Sequence, residues 1–169
     1  MTDYTKNSRT VINNFLWDEL NDAGILLAEN YRPDGFAKGI IPIVPIQEVP
    51  EFNNLMPNQP YITYDYEVEG YGDQWWICEE VMFYTIISTN VSKISEITEF
   101  MIDLFRRLDD SGKDVQLSNT LDDKIKFYSV GLNSATSPTP FEQEGGRMAG
   151  AVEIKYKYAR ILDSSGRFS

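Results

Sequence analysis

A chain of 169 residues with 26 acidic and 15 basic side chains, a net charge of −11 and no histidine is most economically one domain with a single hydrophobic core. The acidity argues against a nucleic-acid reader, because such a surface repels phosphate backbones. The missing histidine excludes a Ser-His-Asp or Cys-His site within one chain and a His-ligated zinc.

Cys78 is the single cysteine, so no intrachain disulfide is possible, which suits a reducing cytoplasm. No stretch approaches the roughly 20 apolar residues of a membrane span. The opening MTDYTKNSRT lacks the apolar core of a signal peptide.

Thr10 to Ala23 places Ile12, Phe15, Leu16, Leu20 and Ala23 on one helical face, predicting a first helix capped by Thr10 or Ser8. Gly24 stands where a left-handed stop is expected. The following ILLAEN reads as a short strand or the helix tail. From Arg32 to Pro60 the prolines at 33, 42, 45, 50, 57 and 60 break any regular element. IIPIVPIQEV is therefore an edge strand at most, or part of an extended arm over residues 32–60.

Tyr61 to Glu69 alternates, with Ile62, Tyr64, Tyr66 and Val68 facing one way and Thr63, Asp65, Glu67 and Glu69 the other. This predicts a half-buried antiparallel strand with an acidic outer face. GYGD makes a turn, and Val81 to Ile87 reads as a central strand covered on both faces. Asn90 or Ser92 then opens a second helix, with Ile94, Ile97, Met101, Leu104, Phe105 and Leu108 on its inner face. Its end is expected around Asp110 to Gly112, with Arg106 and Arg107 near the negative pole of the helix dipole. Ile125 to Leu132 and Ala151 to Arg160 complete the strands, and residues 161–169 read as a flexible tail. The order predicts an α+β fold: a mostly antiparallel sheet of about four to five strands, two main helices, long loops and the proline-rich arm.

Candidate chemistry is sparse. Asp109, Asp110, Asp114, Asp122 and Asp123 lack the spacing of a calcium loop. DSGKD lacks the first Gly and the final Ser or Thr of a phosphate loop. Glu142 and Glu144 could form a carboxylate pair, but they lie on a Gly-rich segment with nothing to desolvate them. Trp75 and Trp76 could stack a base or a sugar, though such aromatics are more often core or subunit contact. No catalytic residue, metal site or cofactor is expected.

The segment Ser134 to Gly150, SATSPTPFEQEGGRMAG, has no periodicity and reads as a 17-residue loop, longer than compact domains usually carry. Pro138 and Pro140 stiffen its start, Phe141 and Met148 are apolar anchors, Gly145, Gly146 and Gly150 permit unusual turns, and Glu144 and Arg147 offer charged contacts. Interface residues are expected at Pro138, Pro140, Phe141, Glu142, Glu144, Gly145, Gly146, Arg147 and Met148. An ordinary hairpin excursion packed on its own domain is the alternative.

This layout, with YTIISTNVSKISEITEFMIDLFRRLDDSGKDV and FYSVGLNSATSPTPFEQEGGRMAGAVEIKYKYAR, resembles the tail-terminator (tail-completion) proteins of contractile-tailed bacteriophages over Tyr61 to Arg160. The resemblance implies a non-enzymatic virion protein, assembled in the host cytoplasm. It implies a ring, usually of six copies, that caps the tail tube, stops its elongation and meets the head connector. Its partners would be itself, the tail tube protein, the tail sheath and the neck proteins, with no sequence-specific nucleic acid and no membrane. A head-side neck or connector protein is the alternative within virions, and a small carboxylate-based enzyme is the alternative outside them.

Overall fold

A computed structural model of the chain describes residues 6–33, 39–49, 59–71, 76–106, 111, 122, 124–140 and 146–161. Helix α1 spans Ser8–Asp22, strand β1 Ile43–Pro45, β2 Tyr61–Tyr71, β3 Cys78–Ser88, helix α2 Val91–Phe105, β4 Ile125–Pro140 and β5 Met148–Arg160. The described residues form the expected α+β fold, two main helices on a five-stranded, mostly antiparallel sheet.

Asparagine starts both helices. Asn7, rather than Thr10 or Ser8, caps α1: its side-chain oxygen accepts from the Thr10 N–H at 3.0 Å. Asn90 caps α2 by accepting from the Ser92 and Lys93 N–H groups at 3.0 and 3.3 Å. Each bond satisfies a donor that the first helical turn leaves unpaired. Helix α1 ends where expected, with Gly24 at a φ of 72°. Helix α2 is shorter than its pattern suggested, because Arg106 leaves helical geometry at φ −144°. ILLAEN becomes neither strand nor helix tail but a 3-10 turn at Ala28–Tyr31. Tyr31 closes that corner by donating its hydroxyl to the Pro60 carbonyl at 2.6 Å and meeting the Trp17 ring edge-on.

The strand order is β1-β2-β3-β5-β4, with β1 parallel to β2 and every other pair antiparallel. Strands β2 and β3 form one hairpin, β4 and β5 the other. Helix α2 carries the chain from β3 across the sheet to β4, and β5 returns to fill the gap, a split β-α-β arrangement. Cross-strand partners share a face, so Ile62, Ile86, Tyr84, Val152, Met82, Ile154 and Tyr156 form one surface. Both helices cover it. Ile12, Leu16 and Leu20 of α1 and Ile94, Ile97 and Met101 of α2 join the strand residues in one core. Each such side chain contributes about 1.5–3 kcal/mol of transfer free energy. Gly150 sits where α2 comes closest: a Cβ there would lie 2.8 Å from Ile94 Cγ2.

The opposite face is polar over much of its area, and there Lys155 bridges Glu69 at 2.7 Å and Glu79 at 3.5 Å. Strand β2 alternates as expected, yet its inward set is buried only at the start. Tyr66, under the Arg9 guanidinium of the first turn of α1, is 43% exposed and Val68 beyond it is 54% exposed. Thr63, expected on the acidic outer face, is buried. Strand β3 departs in the same sense. Its helix-side residues are fully covered, but Phe83 on the other face is open to solvent, so it is not covered on both faces throughout.

The largest departure lies at Ser134 to Gly150. Ser134–Pro140 continues β4 and Met148–Gly150 begins β5, leaving only residues 141–147 between the strands. The periodicity vanished because β4 shifts register three times, between Phe127 and Ser129, Leu132 and Ser134, and Thr136 and Thr139. Each shift inserts unpaired residues and resets which side chains face inward. Pro138 is tolerated because it occupies the last of these shifts on an edge strand. Of the expected arm at residues 32–60, the short β1 is an edge strand as predicted, and positions 34–38 and 50–58 lie outside the described residues, as does the tail at 162–169. Among the described residues no helix is long and apolar enough to cross a membrane.

Candidate interaction surface

The residues expected to make contacts fall in three groups. Phe141, Glu142, Glu144 and Gly145 lie outside the described residues. Pro138 and Pro140 belong to the end of β4, where Pro140 pairs with Met148 and Pro138 is half-buried. Gly146 is exposed at φ 85°, a backbone shape closed to most residues. Arg147 is turned inward: its guanidinium lies 5.3 Å from the centre of the Tyr61 ring, and the side chain is buried. Half-buried Met148 packs against the core and pairs with Ser88. Arg147 and Met148 thus spend much of their surface on their own domain.

Pro138 lines a shallow groove of about 250 Å³ between α2 and β4. Ser95, Thr98, Glu99 and Ile102 form the helical wall, and Ala135, Thr136 and Ser137 continue the strand wall. The groove opens where β4 bulges away from β5 between Thr136 and Thr139. There the Thr136 hydroxyl stands in for the ladder, accepting from the Ala151 N–H at 3.2 Å. The Thr98 hydroxyl is buried with no hydrogen-bond partner among the described residues.

The densest polar cluster lies elsewhere, and the sequence pattern did not single it out. Glu80 on β3 is 1% exposed. Its carboxylate accepts from the hydroxyls of Tyr156 at 2.6 Å, Tyr158 at 2.7 Å and Ser8 at 3.1 Å, and from the Arg9 guanidinium at 3.2 and 3.3 Å. Arg9 also lies 4.0 Å over the Tyr66 ring. Burial, followed by the negative charge of Glu80, pushes the Tyr156 phenol far above its ordinary value, and burial with the Glu80 bond does the same to Tyr158. The signal was available as a Tyr-x-Tyr pair facing Glu80 across two strands, but only the β3–β5 register brings them together.

This cluster binds α1 to the sheet. Every partner of Glu80 is supplied by the chain itself, and no second carboxylate is buried with it among the described residues. Burial pushes the thiol of nearby Cys78 up, and Glu80 adds to the shift against the opposing Tyr158 and Arg9.

The aspartate run disperses too. Asp109, Asp110, Asp114 and Asp123 lie outside the described residues, whereas Asp122 holds the start of β4 by accepting from the Lys124 and Ile125 N–H groups, both at 2.9 Å. Burial raises the Asp122 carboxyl, but Lys6 at 2.6 Å and these two N–H groups outweigh it and hold it below its ordinary value. Trp75 lies outside the described residues, and Trp76 is exposed beside the β2–β3 turn. Among the described residues no group of three or more His, Cys, Asp or Glu side chains is placed to hold a metal ion. No protein-family model matches the chain, and no curated protein matches it in sequence.

Proposed function

We propose that the chain is a structural protein of a tailed-phage virion: a tail terminator whose ring caps the tail tube, stops its elongation and offers a surface to the head connector. One observation carries the reading. The two hairpin turns leave the sheet at opposite ends, since Cys78 beside one turn pairs with Tyr158, while Ser88 at the far end of β3 pairs with Met148 beside the other. A subunit wedged between a tube below and a connector above needs two such ends. The buried polar groups around Glu80 are consumed by internal packing, which suits work done by surfaces meeting.

The test uses polymerising tail tube protein. With the full chain added, tubes are expected to stop growing and to carry a ring at one end in negative-stain images. Undiminished elongation, with no density at either end, overturns the reading.

A further inference from the structure

Charge is distributed across this sheet in an unusual way. The inner strands carry it: Asp65, Glu67 and Glu69 on β2, Glu79 and Glu80 on β3, Glu153, Lys155 and Lys157 on β5. The two edges carry almost none. GIIPIVPIQ, residues 39–47 around β1, has no charged side chain, and neither has FYSVGLNSATSPTP, residues 127–140 of β4. Soluble proteins usually protect edge strands with charge, because an open edge is a template for further pairing. Residues 39–47 and 127–140 are thus neutral in a chain of net charge −11, with Glu48 following the first stretch and Lys126, stacked over Tyr128, preceding the second.

The edges also present matching material. Beside β1, Ile41 is 39% exposed and Ile46 is 52% exposed. The Pro42 carbonyl accepts from the Ile62 N–H at 2.8 Å, so strand alternation turns the N–H and C=O of Ile43, a residue 6% exposed, away from β2. Strand β4 exposes Tyr128, Ala135 and Ser137, and among the described residues nothing pairs with its outer edge. The bulges of β4 and the shortness of β1 limit how far a partner strand can zip along either edge.

We infer that the β4 edge of one copy of this chain takes the β1 edge of the next, so that the sheet continues head to tail from subunit to subunit. Between strongly acidic molecules, association costs least where acidic charge is absent, and residues 39–47 of one edge and 127–140 of the other carry none. Pairing between two different edges leaves each copy one free donor edge and one free acceptor edge, and it closes into a ring when the rotation per copy divides the circle. The inference rests on the assembly part of the reading above and is independent of the tail tube.

The test pairs two variants of the full chain, one per edge: Ala135→Glu with Ser137→Glu, and Ile41→Glu with Ile46→Glu. All four positions are exposed, and thermal melts check that the subunits remain folded. The mass of the wild type is expected to rise with concentration in light scattering. Each variant is expected to need about ten-fold or more protein for the same mass, a weakening of the interface by about 1.4 kcal/mol or more. A mixture of the two retains one intact β4 edge and one intact β1 edge, so it is expected to form a 1:1 dimer and stop there. In the wild type, the Ile43 amide is expected to exchange slowly with solvent hydrogen when assembled and quickly when dilute, which needs no variant. A wild type that stays monomeric up to its solubility limit overturns the inference. So does a β1-edge variant that assembles normally, the result expected if two β4 edges met each other or an unrelated protein were the occupant. Assembly through these edges without tube capping sinks the terminator reading alone; tube capping by a chain that never self-associates sinks this one alone.

Discussion

Among the buried polar side chains at the helix–sheet boundary, Glu80 and Thr98 are treated in opposite ways. Glu80 lies under the start of α1 and receives hydrogen bonds from Ser8 and Arg9 of that helix and from Tyr156 and Tyr158 of β5. Thr98 lies in the middle of α2, facing the bulge of β4, and among the described residues its hydroxyl has no partner. A fully paired buried carboxylate becomes costly only when its partners are broken, whereas an unpaired hydroxyl is a standing cost that its replacement relieves. The first end of the molecule is locked by chemistry. The second is held by close packing of α2 on Gly150 and leaves polar capacity unused.

Breaking the lock should produce the largest effect. Glu80→Ala strands three hydroxyls and a guanidinium, and is expected to lower unfolding free energy by about 3–5 kcal/mol in urea titrations. Glu80→Gln should lose less, because its amide oxygen still accepts. The same end should fail in alkali. The folded-state values of Tyr156 and Tyr158 are raised, so their contribution is complete below the ordinary phenol value of 10.0 and is lost as pH climbs above it. Tyrosinate absorbance for these two residues should therefore appear only together with loss of circular dichroism.

At the packed end, Gly150→Val forces Ile94 aside, and about 1–3 kcal/mol of stability is expected to go, read as a lower Tm. Thr98→Val keeps the volume and removes the lone hydroxyl, so it should stabilise by about 1 kcal/mol. A loss on that substitution would mean that the hydroxyl is satisfied in solution and would erase the contrast with Glu80. Smallest of all, Val68→Thr on the overhanging hairpin should change stability by less than about 0.5 kcal/mol, since Val68 is mostly solvated.

Much of the fold was legible where side-chain period and burial coincide. Helix α2 and strand β5 announce themselves because Ile94, Ile97 and Met101, and Val152, Ile154 and Tyr156, keep one register along their whole length. Strand β4 did not, because a residue gained at each bulge reverses the pattern, so small polar residues that pair well with β5 read as loop. Exposure along β2 was hidden for a different reason. Alternation tells which residues share a face, but only the tertiary placement of the helices decides how much of that face is covered. The Glu80 cluster joins residues from the beginning, middle and end of the chain, and no local window contains them.

The register at the centre of the sheet has a consequence for how the chain reaches this shape. Glu80 and Tyr156 are 76 positions apart yet lie directly opposite each other on neighbouring strands. The β2–β3 hairpin can close early, but the middle of the sheet waits for β5, whose residues are made last among the strands. Until then the apolar side of β3, Met82 through Ile86, has a bare flank. Such high contact order slows folding and leaves a window for off-pathway pairing. Synthesis of this protein should accordingly be most sensitive to chaperone supply in the interval before its final thirteen-residue strand emerges.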